Sequence, residues 1–177
     1  PNAQLNAKKI TVNGELVINS GSVGATNSMI IKGNGRVSIS DKSKGSSYSS
    51  NAYICHELRL ESNATLTVNS GYVIVSGSMN VKGNGAVIQS GGTINIYNSM
   101  TFDSNKQSTL SAGTIEVNDD AELKNGYLAT SKNHELKLTN DPVDWAWRKT
   151  FTFNKDKGQK IGYLYVKNVN RYKNLDK

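Results

Sequence analysis

The chain has 177 residues, enough for one domain with a sizeable core, with 36% hydrophobic residues, 16 Gly, 2 Pro and a formal net charge of +7. A single cysteine, Cys55, excludes an internal disulfide framework and a cysteine-based zinc site. No apolar run reaches transmembrane length and no ten-residue stretch carries a helical stripe, so spanning helices and helical bundles are set aside. No signal peptide opens the chain; Pro1 reads as the start of a piece excised from a longer protein, so that absence is uninformative about location.

From the N-terminus, short β-branched runs alternate with Asn, Ser and Gly, which predicts an all-β fold. The stretch "NSGSVGATNSMIIKGNGRVSIS" from Asn19 is nearly repeated as "NSGYVIVSGSMNVKGNGAVIQS" from Asn69, an offset of 50. A shorter step follows: Gly71, Gly92 and Gly113 are 21 apart, each opening a strand-like run, "GYVIV", "GTINI" and "GTIEV". The offset of 50 is then two steps of 21 plus eight inserted residues, placed in the Ser-rich stretch 40–52. With the insertion removed, apolar residues fall into columns. Val23, Ala52, Val73, Ile94, Ile115 and Leu136 form one; Ala25, Ile54, Val75, Ile96, Val117 and Leu138 form the next. Met29, Leu58, Met79, Met100 and Ala121 form a third, and Ile10, Ile31, Leu60, Val81, Phe102 and Leu123 a fourth. Leu16, Val37, Leu66 and Val87 continue the pattern, which loosens at Ser108.

Neighbouring columns stand two residues apart, so their side chains share one face of a strand. Stacking equivalent strands about 4.8 Å apart turns each column into a continuous apolar ladder. Gly and Asn take the corners, where positive φ is cheap for them. The expected fold is an all-β, parallel β-solenoid of about 21 residues per coil. It is read as right-handed, by the usual hand of parallel crossovers, and six coils make a rod about 30 Å long.

The solenoid is expected over 1–142, and the character changes over 143–177. That segment holds nine Lys/Arg against three acids, while the remainder holds twelve against eleven, so nearly all the excess charge lies there. It also contains Trp145, Trp147, Phe151, Phe153, Tyr163, Tyr165 and Tyr172. "KTFTF" and "IGYLYVKN" read as two strands joined by "NKDKGQ", a hairpin forming a C-terminal β cap over the end of the solenoid. The same segment has the chemistry of a basic, aromatic binding face, and Trp145, Trp147, Arg148, Tyr163 and Tyr165 are its candidate ligand contacts.

A solenoid can host catalysis, which needs clustered carboxyls or a nucleophile beside a base. The acids are scattered, and Asp119-Asp120, the one adjacent pair, lies in an expected turn where a solvated acidic corner outweighs loose calcium binding. His56 and His134 do not share a depth, and His56 points away from its neighbour Cys55 on a strand. "KGNGR" and "KGNGA" resemble phosphate loops but precede no helix, and read as corners. The single "TLT" at 65–67 is no ice-binding ladder, and "NAT" at 63–65 is a chance-level glycosylation match.

The series "LRLESNATLTVNSGYVIVSGSMNVKGNG", "GGTINI", "LSAGTIEV", "NHELKLTN" and "FTFNKDKGQKIGYLYVKN" resembles a repetitive β-helical module of large secreted or surface proteins of Gram-positive bacteria. Some of these also carry the tyrosine–aspartate repeats of polymorphic toxins. The matching motifs are Leu110–Val117, Asn133–Leu138, Thr150–Phe153 and Leu164–Asn168; "NDPVDWAWRK" at 140–149 departs from the pattern. The resemblance implies a surface-exposed scaffold or adhesive segment, no enzymatic activity and no transferable functional residues.

The expected role is therefore a non-catalytic structural and adhesive module of a larger secreted or cell-surface bacterial protein. No cofactor, metal or membrane insertion is expected. The expected partners are its flanking domains and a surface glycan or protein rather than nucleic acid. The leading alternative is a carbohydrate-binding module using the C-terminal aromatics, followed by a polysaccharide-active β-helix enzyme.

Overall fold

The computed structural model describes residues 3–19, 21–40, 51–125, 127–138, 151–153 and 160–161. Seventeen strands form one parallel β-solenoid. Its first coil is β1 (Ala3–Val12) and β2 (Glu15–Ile18), and its second is β3 (Gly21–Ile31) and β4 (Arg36–Ile39). The third is β5 (Asn51–Ile54), β6 (Glu57–Leu60) and β7 (Thr65–Val68). From there β8 (Tyr72–Val75), β9 (Ser78–Gly83), β10 (Ala86–Ile96), β11 (Met100–Ser104), β12 (Ser108–Val117), β13 (Ala121–Asn125) and β14 (Tyr127–Thr130) complete six coils. A further winding begins with β15 (His134–Leu138).

Each coil presents three faces, and the longer strands β1, β3, β10 and β12 each run over two of them. On the first face Val23, Ala52, Val73, Ile94, Ile115 and Leu136 are in register from coil to coil. On the second, Met29, Leu58, Met79, Met100 and Ala121 are in register, flanked by Ile31, Leu60, Val81, Phe102 and Leu123. On the third, Leu16, Val37, Leu66 and Val87 stack. These residues, Leu16 excepted, are buried and make one hydrophobic core. Parallel strands buried on one side need such continuous Val/Ile/Leu ladders, because no single coil can bury its own apolar face.

The step between coils follows the sequence arithmetic. Tyr72 pairs with Thr93 and Thr93 with Thr114, 21 residues each. Ser22 pairs with Asn51, a step of 29, so eight extra residues enter between Ile39 and Asn51. The first coil is shorter than expected: Ile10 pairs with Met29 and Val12 with Ile31, a step of 19. Ile10 thus belongs to the methionine column, and Val12 takes the place assigned to Ile10.

Corners between the second and third faces are tight turns. Gly35 N donates to Lys32 O at 2.9 Å and Gly85 N to Lys82 O at 3.0 Å. Gly33 and Gly83 have φ of 61° and 65° at the first central position, which is the pattern of a type II′ turn. Both "KGNG" segments are therefore corners.

The C-terminal strands differ from the expected hairpin. β16 (Phe151–Phe153) runs parallel to β13 on the second face, and β17 (Lys160–Ile161) runs parallel to β14 on the third. Two strands on different faces cannot be the arms of one hairpin; they prolong the winding that β15 starts. The physical reason is that "FTF" repeats the inward spacing of Ala121 and Leu123, with which Phe151 and Phe153 are in register.

Candidate functional site

The candidate ligand contacts Trp145, Trp147, Arg148, Tyr163 and Tyr165 lie outside the described residues. So do residues 41–50 of the insertion. Among the others, Cys55 and His56 are both exposed in the corner between β5 and β6. Asp119 and Asp120 are exposed in the corner between β12 and β13. Among the described residues, no three His, Cys, Asp or Glu side chains are grouped to hold a metal ion.

His134 is placed differently from His56: it is only 1% exposed. It pairs in register with Gly113, continuing the column of Gly92 and Gly113 that the 21-residue step defines. Gln89, also fully buried, occupies the inward column of Ile39, Val68 and Leu110. Its Nε2 donates to Gly92 O and Thr114 O, both at 3.1 Å. That leaves Oε1 facing His134 Nε2 at 3.0 Å, so this nitrogen carries the proton. His134 Nδ1 is buried with no hydrogen-bond partner. Burial pushes the imidazole down to about 4, against a smaller upward pull from Glu135. A neutral, internally committed histidine of this kind holds a corner together and has no access to a substrate.

The outer surface carries an ordered polar ladder and, on another face, three exposed aromatics. Along the corner between the second and third faces runs an asparagine ladder. Asn63 Nδ2 donates to Asn34 Oδ1 at 3.2 Å, and Asn84 Nδ2 to Asn63 Oδ1 at 3.1 Å. With Asn105, Arg36 and Lys106 these residues line a shallow, open groove parallel to the stack. The repeat builds it: each turn puts Asn at its second central position, one coil above the last.

On the first face, three tyrosines stand in three successive coils. Tyr53, Tyr72 and Tyr97 are 42%, 46% and 50% exposed. Tyr53 is in register with half-buried Ile74, and Tyr72 with Thr93. Tyr97 closes the strand of the fifth coil, where its N–H bonds Val75 O at 2.9 Å. Asn95, next to Ile74 in the same outward column, has a buried amide oxygen without a partner. The sequence marks these aromatics as outward, since each alternates with, or directly follows, an inward residue such as Ala52, Val73 or Ile96, but their register sets them at three different strand positions. The same columns, extended to position 134, would have put a histidine in a glycine's place.

Comparison with known proteins adds no assignment. No family model, curated protein or solved structure matches the chain. The surface chemistry therefore rests on the residues themselves.

Proposed function

We propose that this chain is a non-catalytic structural and adhesive module of a larger secreted or cell-surface protein. The observation that carries the reading is the unbroken parallel ladder from β1 to β15, whose stacked apolar columns make a stiff rod. Such a rod holds outward side chains at fixed 4.8 Å intervals, which suits repeated weak contacts with an extended partner. The resemblance to β-helical modules of Gram-positive surface proteins points the same way. Its role is passive display: folding cost is met by the core, and the polar faces remain available.

The test is surface accessibility in the organism that makes the parent protein. Antibodies against the solenoid should label intact cells or the culture medium, and external protease should remove the signal. Signal confined to the cytosolic fraction would overturn the reading.

A further inference from the structure

We propose that the asparagine-lined groove binds an extended acidic polysaccharide with one carboxylate per sugar. The inference rests on the display reading and supplies its ligand class. Asn34, Asn63, Asn84 and Asn105 stand at one corner position in four successive coils. Asn63 N donates to Gly33 O, Asn84 N to Ser62 O and Asn105 N to Gly83 O, at 2.9, 2.7 and 2.7 Å. All four asparagines are exposed. Beside them runs the column of Arg36 and Thr65, and between the two columns stand Gly35, Ala64 and Gly85, small and buried. These add no side chain to the gap, so it stays open along the stack. The ladder also presents donors. A primary amide has two N–H groups, and Asn63 and Asn84 each spend one on the amide oxygen of the coil below. The second faces a ligand, and coil spacing sets these donors about 4.8 Å apart.

Charge selects the class. Arg36 stands towards one end of the groove, in the second coil, and Lys106 towards the other, in the fifth. Among the described residues no acid lines the groove, and neither cation is held in an ion pair. Glu15, in register with Arg36 one coil below, is not part of the lining. Three coil steps separate the two cations, about 14 Å. An extended pyranose chain advances by close to one coil step per sugar, so carboxylates three sugars apart reach both. The sugars between them set hydroxyls and carboxylates on the amide donors. Other occupants lack a counterpart. No described lining residue is aromatic, so nucleic-acid bases have nothing to stack on and a neutral glycan has no apolar platform. An added peptide strand needs free backbone groups, and the N–H groups of this corner are bonded to the coil below. The same bonds hold the groove preorganised.

The test is calorimetric titration of the whole chain with hexagalacturonate and with hexamannuronate, against cellohexaose and a single-stranded oligonucleotide. At least one acidic probe should bind, more weakly as salt is raised. R36A and K106A should each weaken it about fivefold, and N63A/N84A about tenfold. K9A, which removes the same charge outside the groove, should leave it unchanged. The bound acidic probe should also shield Lys106, and not Lys9, from acetylation read by mass spectrometry. That readout on the unaltered chain separates the groove from the basic segment 143–177. Circular dichroism of each variant reports whether the solenoid persists. The proposal is overturned if the chain binds neither acidic probe, if Lys106 stays reactive at saturation, or if cellohexaose or the oligonucleotide shields Lys106 as well. It is equally overturned if a folded R36A/K106A variant binds as the parent does. Surface labelling of cells is independent of these titrations, so either idea can fail while the other stands.

Discussion

At the scale of single residues, the His134–Gln89 pair is, among the described residues, the buried polar contact with a pH signature. The ordinary histidine value is 6.5 and the folded value is about 4. Between those values the unfolded chain binds more protons than the folded one, so stability falls as pH drops from 6.5 towards 4 and levels off below. The full loss is about 3 kcal/mol. Urea unfolding at pH 7 and pH 4.5 should show it. The carboxylates titrate in the same range, so the decisive comparison is with H134Q, which should lose most of the histidine-dependent part. An equal pH slope in both proteins would mean that His134 is not held neutral inside the corner.

Elements here are strands of two to eleven residues, and the corners decide whether they stack. Two substitutions probe them in opposite directions. A Cβ on Gly77 would come within 1.6 Å of His56 O in the coil below, a backbone atom that cannot step aside. Gly77→Ala should therefore cost about 2 kcal/mol or more, read as a lower urea midpoint. Ser62 is the opposite case, with φ of 58° at the position where the neighbouring coils have Gly33 and Gly83. Ser62→Gly should raise stability by about 0.5 kcal/mol, relief of the left-handed strain exceeding the added freedom of the unfolded chain. These corners also show where the sequence was readable. "KGNG" announces its turns through glycine, whereas Ser62 adopts the same geometry with no such signal. Likewise Ile10 was misplaced by counting a constant 21, because the first coil reaches Met29 from Ile10 in 19 residues.

Across the whole molecule, the periodicity of inward residues was legible because burial imposes the same demand on every coil. Val73, Ile94 and Ile115 can satisfy it only by lying over one another. Outward positions carry no such demand, and the exposed Tyr53, Tyr72 and Tyr97 accordingly stand at three different strand positions rather than in one column. Gln89 carries no signal in the sequence, and His134 reads there only as a histidine that shares no depth with His56, for a related reason: each breaks a column, and a broken column looks like noise until its partner is found across 45 residues.

Inter-coil spacing is the most direct quantity to measure. Val17, Ser38, Thr67, Ile88, Thr109 and Ala129 form one outward column on the third face. With Cys55→Ser as background, spin labels at Val17 and Thr109, then at Val17 and Ala129, would report four and five coil steps by pulsed electron resonance. The expected backbone separations are about 19 and 24 Å, with narrow distributions whose means differ by one coil. Distances that are broad, or that fail to grow from the first pair to the second, would contradict the stacked solenoid.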